Sequence, residues 1–376
     1  MNKKILFISL GLGGGILLFL VGFFAASSLY QRNHPLKDAV LSENIINYRL
    51  ERFEQGIIYY KVIKNEAEKS QKIEIIYTDA AGKTVKTIEI VGAAKLLSAS
   101  WSPDHKNALI AVKEGIFIQD PPDESHLHES LYLIKGLNAP IKLDQFTINS
   151  VFTTNDNVVS YTPLNDDGSG GLFSTYSIQN TSKVDNIKYF KGINLSLYPL
   201  DTKRVLFIQK PGGLETPSNG IEALDLQTKT VSTYLADKKV VDLVLSDDRK
   251  GAIAVKKEPS LKKSLYLIDS FSYDSYSLDF SNNKLNLLAK NLITTREEYK
   301  DSSVFAFSAI DQNNFDNYNL FDYEKTFKLD QLNPKKSLPK ALNDTLFYNA
   351  SYPTVYDKYI FYVSHDELHR ISNIKL

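Results

Sequence analysis

A short stretch of this chain, WSPDHK at Trp101–Lys106, occurs a second time as SDDRK at Ser246–Lys250. Two apolar runs follow each copy in the same order: ALIAV at 108–112 and SLYLI at 130–134 after the first, AIAV at 252–255 and SLYLI at 264–268 after the second. A turn, an apolar run, a polar loop and a second apolar run therefore recur. Recurrence of this kind indicates a fold that is built from repeated units.

The spacing of the copies indicates the size of the unit. Ser102 and Ser246 stand 144 residues apart, which equals three periods of 48. Two weaker copies lie between them, and an aspartate marks each of the four turns: Asp104, Asp156, Asp201 and Asp248. An aspartate suits a tight turn, because its carboxylate accepts hydrogen bonds from the backbone N–H groups just ahead. A period of this length, divided into short strands, is typical of a β-propeller.

The apolar runs predict strands, because about five residues is too short for a helix and a continuous apolar run suits a strand buried on both faces. The sequence therefore predicts an all-β fold, a single β-propeller of seven blades, with six or eight as alternatives. The last unit shows only three strands, so we expect a strand near residues 43–50 to complete it and close the ring. The strands expected in the weaker outer units lie at 57–62, 72–77, 84–90, 304–310, 318–323, 346–350, 358–363 and 368–374.

The stretch Trp101–Lys106 resembles the W-S-P-D-G-K turn of TolB-type and related WD-repeat-like bacterial propellers. Trp101 and Pro103 are the rarer residues that match, and His105 stands where the family has glycine. The resemblance covers residues 50–376 as an architecture. It implies a propeller and no catalytic residue, because the motif is structural.

Composition limits the classes of function. The chain has 376 residues with 43% hydrophobic, which is ample for the core of one large domain. The net charge is zero and no long basic stretch occurs, which argues against nucleic acid as a partner. The absence of cysteine excludes disulfides and thiolate metal sites.

The N-terminus predicts a membrane anchor. Residues 5–29 carry no charge, and as a helix they would span roughly 37 Å, enough to cross a bilayer. A cleaved signal peptide is the alternative, although its apolar stretch is typically only about 7–15 residues. We therefore expect a short cytoplasmic end at 1–4, a transmembrane helix at 5–29, a linker at 30–42 and a propeller at 43–376. The propeller would lie on the extracytoplasmic side of a single-pass cell-membrane protein.

The predicted helix carries a stripe of small residues. Such a stripe lets two membrane helices approach closely, which would make the chain a homo-oligomer through its anchor. The alternative is that glycines are simply common in membrane helices. The stripe consists of Gly11, Gly15, Gly22 and Ala26.

Long polar loops are expected between the second and third strands of each blade, at 119–129, 162–171, 209–220, 256–263 and 311–317. These loops emerge on one face of a propeller, where insertions often mark the binding face. Their charges could orient a protein partner; ordinary solvated surface is the alternative. The candidate binding residues are Asp120, Asp123, Glu124, Asp166, Asp167, Lys256, Lys257, Lys262 and Lys263.

Motifs that would carry chemistry are weak. His365 and His369 have the i, i+4 spacing of a zinc-protease helix, but the flanking strands predict a hairpin turn there. His126 and His128 beside Asp123 could hold a metal, and the sequence NDDG at 165–168 loosely resembles a calcium loop; a solvated loop and a turn are the simpler interpretations. No nucleophile elbow or phosphate-binding loop occurs. The sequence therefore predicts no catalytic residue, no metal and no cofactor.

Three classes of function remain. The missing catalytic motifs and the one-sided loops favour a membrane-tethered scaffold for protein–protein interaction, a subunit of a cell-envelope complex with the membrane and other envelope proteins as partners. The first alternative is an extracytoplasmic ligand-binding or sensing module. The second is a propeller enzyme, a hydrolase or lyase acting at the central channel.

Overall fold

The structure is a computed structural model that describes residues 37–65, 67, 70–115, 128–136, 138–143, 149–164, 170–190, 195–209, 220–235, 240–246, 249–259, 271–282, 284–289, 298–300, 303–309, 326–333, 336–341, 346–348 and 350–372. All regular secondary structure in these residues is β-strand.

The strands form seven antiparallel sheets, numbered here in chain order. Sheet 1 contains β2 (Glu51–Phe53), β3 (Gly56–Asn65), β4 (Ser70–Asp79) and β5 (Thr84–Val91). Sheet 2 contains β6 (Ala93–Trp101), β7 (Asn107–Glu114), β8 (His128–Lys135) and β9 (Ile141–Lys142). Sheet 3 contains β10 (Ser150–Phe152), β11 (Asn157–Pro163), β12 (Gly171–Ser177) and β13 (Asn180–Phe190). Sheet 4 contains β14 (Leu195–Pro199), β15 (Arg204–Gln209), β16 (Ile221–Asp225) and β17 (Val231–Leu235).

Sheet 5 contains β18 (Val240–Leu245), β19 (Gly251–Pro259), β20 (Phe271–Asp279) and β21 (Lys284–Ala289). Sheet 6 contains β22 (Glu298–Lys300), β23 (Ser303–Ala309), β24 (Thr326–Asn333), β25 (Lys336–Ala341) and β26 (Phe347–Tyr348). Sheet 7 contains β27 (Ser351–Tyr356), β28 (Tyr359–Ser364), β29 (Glu367–Ser372) and, from the start of the described chain, β1 (Lys37–Ser42).

The sheets are arranged around a ring. Consecutive sheets pack against each other, and sheet 1 packs against sheet 7 through β2 and β27. The predicted all-β, single-propeller fold is confirmed. The regular four-stranded form expected of every blade is found in six sheets; sheet 6 departs from it, because β25 pairs with one half of β24 and β26 with the other.

The second strand of a sheet carries much of the core. In β7, the run Ala108–Val112 is at most 1% exposed, because neighbouring strands flank it and neighbouring sheets cover both of its faces. The outermost strand β5 alternates instead, with Ile88 and Ile90 buried between exposed residues. The continuous apolar runs of the sequence are therefore the inner layers of the ring, and alternation marks its rim.

The turn at Trp101–Lys106 joins β6 to β7. The Asp104 carboxylate accepts hydrogen bonds from the Ser102 hydroxyl at 2.7 Å and from the Lys106 N–H at 3.1 Å. The Ser102 hydroxyl accepts one from the Asn107 N–H at 2.9 Å. The backbone of His105 has a φ of 55°, in the region that favours glycine. The predicted role of the aspartate is confirmed in this turn, and the usual glycine of the motif is explained by the positive φ.

The corresponding turns of the other sheets differ in which side chain accepts the backbone hydrogen bonds. Asp201 accepts from the N–H groups of Lys203 and Arg204, both at 2.8 Å, as predicted. In sheet 3 the prediction is wrong, because the Thr154 hydroxyl accepts from the Asn157 N–H at 2.9 Å while Asp156 accepts from the Gln179 side chain. Asp248 lies outside the described residues.

The ring is closed by β1 rather than by residues 43–50, so the prediction was right about closure and wrong about the strand. Lys37–Ser42, expected in the linker, pairs antiparallel with β29. Residues 43–50 cross instead from sheet 7 to sheet 1. Ile45 donates its N–H to the Asp366 carbonyl at 2.8 Å, and the buried side chains of Ile45 and Leu50 pack between the two sheets. Their apolar side chains fill the junction between sheet 7 and sheet 1. The apolar residues of this segment therefore do not indicate an edge strand.

Three other strand predictions are wrong in position. The strand that pairs with β19 is β20 (Phe271–Asp279), not 264–268. The strand that pairs with β23 is β24 (Thr326–Asn333), not 318–323. The first strand of sheet 7 is β27, whereas the predicted segment 346–350 contributes β26 to sheet 6. The segments 264–268 and 318–323 themselves lie outside the described residues.

The predicted transmembrane helix at 5–29, with Gly11, Gly15, Gly22 and Ala26, lies outside the described residues. Among the residues from 37 onward that the structure describes, no helix is long and apolar enough to cross a membrane.

A small polar cluster joins β1 to the rest of sheet 7. Asp38 on β1 accepts a hydrogen bond from the Tyr362 hydroxyl at 2.6 Å and lies 3.3 Å from Nδ1 of His369. The His369 ring stacks on Tyr362 at 4.7 Å, and its Nε2 lies 3.2 Å from Glu367. Burial lowers the pKa of His369, but the hydrogen bond and charge of Asp38 outweigh burial and raise that pKa above its ordinary value. The contact between β1 and β29 therefore favours the protonated imidazole of His369.

We expect His369→Gln to destabilise the protein most at mildly acidic pH. Because the folded-state pKa of His369 is raised, its contribution is fully present below the unfolded pKa of about 6.5 and is lost as the pH rises through the folded value. The Tm difference between wild type and His369→Gln should therefore be largest near about pH 6 and shrink toward alkaline pH. His365→Gln, in the turn of the same hairpin, is the control. A Tm difference that stays constant with pH would rule out the titration.

Candidate functional site

The inner strands of the ring surround one large cavity at the mouth of the central channel. Its volume is about 1130 Å³. Small side chains on the inner strands leave this space open, among them Ser98, Ala99 and Ser100 on β6 and Ser196 on β14. The described strands that line it are β2, β6, β10, β14, β18 and β27.

The cavity opens on the face where each inner strand turns into the second strand. The turn after β6 contributes Asp104, His105 and Lys106 to its wall, and the turn after β18 contributes Ser246 and Arg249. The sequence pattern indicates that these turns are structural, and it predicts the binding surface on the opposite face of the propeller. The structure brings them to the mouth of this cavity, because in a propeller the inner strands end beside the central channel.

Two of these turns place a side chain where the repeat favours glycine. His105 and Arg249 both have a φ of 55°, and both line the cavity. A positive φ is disfavoured for residues with a β-carbon. The departure from glycine at position 105 was visible in the sequence, and it is the signal that could have indicated a site here.

The cavity wall is strongly charged. Strand β2 and its flanks contribute two arginines and two glutamates, and the turns add further charges of both signs. Sequence reasoning missed this cluster, because residues 43–50 were assigned to a closing strand and the charged run after them had no predicted partner. The charged wall residues are Arg49, Glu51, Arg52, Glu54, Asp104, Lys106, Arg249 and Asp357.

Glu51 is the most perturbed acid of the wall. Its side chain is only 17% exposed, and Nε of Arg49 lies 3.7 Å from its Oε1. Burial raises the pKa of Glu51 above its ordinary value, and the charges of Arg49 and Arg52 offset that effect only in part. A carboxyl group with a raised pKa in a large cavity is a common mark of a functional site.

A buried aromatic network supports the wall behind β2 and β6. The Trp101 indole N–H donates to the Tyr60 hydroxyl at 3.1 Å, and the Ala99 N–H donates to the Tyr48 hydroxyl at 3.1 Å. Tyr48 and Tyr60 meet edge to face at 5.7 Å. These contacts link β6 of sheet 2 to β3 of sheet 1 and to the segment that precedes β2. Trp101, the residue that carries the family resemblance, is therefore a structural support of the cavity.

The candidate binding residues on the long loops are not brought together by the described structure. Asp120, Asp123, Glu124, Asp166, Asp167, Lys262 and Lys263 lie outside the described residues. Lys256 and Lys257 belong to strand β19 rather than to a loop, because β19 continues to Pro259 in its pairing with β20. The connections between second and third strands run from β7 to β8, β11 to β12, β15 to β16, β19 to β20 and β23 to β24, and most of their residues lie outside the described residues.

Of the candidate metal residues His126, His128, Asp123 and Glu124, the structure describes only His128. His128 Nε2 lies 3.0 Å from Glu114, whose carboxylate also accepts hydrogen bonds from Ser130, Tyr132 and Lys142. Burial raises the pKa of Glu114, but these hydrogen bonds, led by that of Lys142, outweigh it and hold the pKa at about 2. The cluster ties β7, β8 and β9 together at the base of a loop.

The C-terminal histidines lie in a hairpin, as expected. His365 and Asp366 form the turn between β28 and β29 with φ values of 47° and 61°. Within the described part of the chain, no group of three or more histidine, aspartate or glutamate side chains could hold a metal ion.

No protein-family model matches the chain. No curated protein matches it either. Solved structures do resemble it. Oligogalacturonate lyase from Vibrio parahaemolyticus is 10% identical over 90% of this chain and 94% of its own, with a TM-score of 0.54. An oligogalacturonate lyase in complex with manganese is 12% identical over 89% and 97%, with a TM-score of 0.51.

The β-propeller domain of the Trilobed protease from Pyrococcus furiosus is 9% identical over 88% of this chain and 93% of its own, with a TM-score of 0.52. That domain is described as having an open velcro topology, whereas β1 closes the ring here. At identities near 10% these likenesses are likenesses of fold, and the fold they share with this chain is the β-propeller.

We expect Glu51→Gln to raise the Tm at neutral pH. Because the pKa of Glu51 is raised on folding, the folded state holds its proton more strongly than the unfolded state, and stability falls as the pH rises from the unfolded pKa of about 4.3 through the folded value. Glutamine does not ionise, so Glu51→Gln avoids this fall in stability. Its Tm advantage over wild type should therefore vanish below about pH 4, where Glu51 is protonated in both states. Glu54→Gln, at an exposed position of the same wall, should leave the Tm unchanged. A lower Tm for Glu51→Gln at pH 7 would contradict this.

Proposed function

We propose that this protein is a binding propeller that holds a polar ligand in the cavity at the mouth of its channel. The observation that carries the proposal is the cavity itself, about 1130 Å³ in volume and lined by the inner strands of six sheets. Small-molecule sites are usually concave and hold roughly 300–1,000 Å³. This cavity therefore has room for a ligand of several rings or a short peptide segment.

The wall chemistry supports a polar ligand. Charged side chains of both signs alternate with aromatic rings, and Phe53, Tyr198, Tyr352 and Tyr356 are among the lining residues. Aromatic faces supply contact area, while arginine and carboxylate groups fix orientation by hydrogen bonds. The raised pKa of Glu51 means that one wall residue is held in an environment that ordinary surface charges avoid.

A second candidate, an enzyme acting in the same cavity, is favoured by Glu51 in particular. A general acid works best with a pKa near the working pH, and burial moves the pKa of Glu51 in that direction. Two of the structures with a similar fold are oligogalacturonate lyases by name, so an acidic oligosaccharide is the first substrate to test. If Glu51→Gln abolishes turnover of this substrate but still binds it, the protein is an enzyme.

The interaction scaffold that the sequence favours stays a prediction, since most of its loop residues lie outside the described residues. The anchor likewise stays a proposal, supported by the 25 uncharged residues at 5–29. We expect the full chain, expressed in a bacterium, to remain in the membrane fraction after alkaline carbonate extraction, and its propeller to be cleaved by protease added outside the inner membrane. Release by carbonate would contradict an uncleaved anchor.

The binding proposal predicts that filling the cavity abolishes binding. The full chain in mild detergent is screened by saturation-transfer NMR against sugars, amino acids, dipeptides and organic acids. Ser196→Trp puts a large ring into the cavity from β14, so we expect it to eliminate the signals that wild type gives. Ser232→Trp, on the exposed outer strand β17 of the same sheet, is the matched control. Equal signals from both variants, or no signal from wild type, would refute the proposal.

A further inference from the structure

We propose that the channel cavity binds an oxyanion of its ligand, a carboxylate or a phosphate, on the guanidinium of Arg249. The inference rests on the proposed binding function and names the ligand chemistry of that same site. Three separate features of Arg249 carry it: its backbone conformation, its half-buried charge, and its place opposite other arginines across the channel.

The backbone at Arg249 adopts a conformation that the fold could obtain more easily with glycine. Its φ is 55°, and its N–H donates to the Ser246 carbonyl at 2.9 Å to close the turn. The same repeat position is glycine in the motif that the turn after β6 resembles. Residues with a β-carbon in this region are disfavoured, and where one persists at a cavity mouth its side chain is a candidate for a functional role.

The charge of Arg249 is partly withdrawn from water. Burial lowers the pKa of Arg249, and the negative charge of Asp201 offsets that effect only in part. Asp201 is already engaged, because its Oδ2 lies 2.8 Å from Nε and 2.6 Å from Nη2 of Arg204. Among the described residues, no carboxylate forms an ion pair with Arg249. A half-buried cation of this kind is stabilised when a ligand supplies the anion.

Other cations face Arg249 across the channel. Arg249 follows β18 in sheet 5, whereas Arg49 and Arg52 flank and occupy β2 in sheet 1. The ring order places these sheets three apart in one direction and four in the other, so they stand on opposite sides of the channel. The acids of the wall are partly committed elsewhere: Asp104 holds its own turn, and Glu51 lies beside Arg49. Arg249 is therefore a wall cation that a ligand in the channel can meet.

Guanidinium groups suit oxyanions in particular. The planar fork of N–H donors matches the two oxygens of a carboxylate or phosphate, and the resulting charge-assisted hydrogen bonds are about twice as strong as neutral ones. A neutral ligand of the same shape would bring no negative charge to the guanidinium of Arg249. The site should therefore discriminate between an acid and its neutral analogue.

The test uses acetate and phosphate as probes, each compared with chloride at equal ionic strength and pH 7. The Tm of the full chain in detergent is followed as the anion concentration rises. We expect a saturable rise in Tm for wild type with at least one probe, and the two arms show whether carboxylate or phosphate is preferred. Arg249→Gly should weaken the apparent anion affinity about tenfold or more.

Arg249→Gly separates a binding role from a folding role. Glycine adopts positive φ freely, so the variant should fold with a Tm in chloride no lower than wild type. Lys229→Gly is the matched control: Lys229 also has a positive φ, 59°, and also carries a positive charge, but it lies outside the cavity wall. It should retain the wild-type response to the anions.

The proposal is overturned if neither anion raises the Tm of wild type, or if Arg249→Gly responds as wild type does. Neither result would contradict the broader proposal that the cavity binds a ligand. If fragments still bind in a manner sensitive to Ser196→Trp while Arg249→Gly has no effect, the cavity binds a ligand without an oxyanion and only this inference fails.

Discussion

The antiparallel pairing of β1 with β29 is the contact on which the ring depends. It joins the first described strand to the last, and it gives sheet 7 its fourth strand. An unpaired edge on β29 would be exposed to pairing with other chains. The pairing also holds β27 in place against β2, and these inner strands supply much of the charged and aromatic wall of the cavity. The site therefore exists only when the two ends of the domain meet.

Several locally unfavourable features of the molecule lie at that cavity. Glu51 is a largely buried acid whose pKa is raised, Arg249 is a half-buried cation, and His105 and Arg249 adopt a backbone conformation that suits glycine. Some charged groups elsewhere are compensated: Glu114 is surrounded by donors that lower its pKa, and Asp201 is paired with Arg204. Features that cost stability in one place, and are compensated in others, are expected where a protein binds something.

The sequence predicted several strands in inner and outer positions. The run 108–112 lies in β7, and the strands expected near 57–62, 72–77 and 84–90 were confirmed as β3, β4 and β5, because apolar patterning next to a turn indicates a strand. The partners of β19 and β23 are β20 and β24, and the expected segments 264–268 and 318–323 lie outside the described residues. Which run pairs with β19 or β23 depends on hydrogen bonding to a strand that is distant in the chain, and local composition does not encode that choice.

The sequence by itself determined that the chain is a β-propeller, where its repeated turns lie and which strands form its core, since turn chemistry and apolar patterning act over a few residues. Tertiary structure alone decided that β1 closes the ring, that Lys256 and Lys257 belong to a strand, and that Arg49, Glu51 and Arg249 share one cavity. Arg249 lies 200 positions after Arg49 in the chain. Only the closed ring brings them to one wall, because the channel exists through the packing of all sheets together.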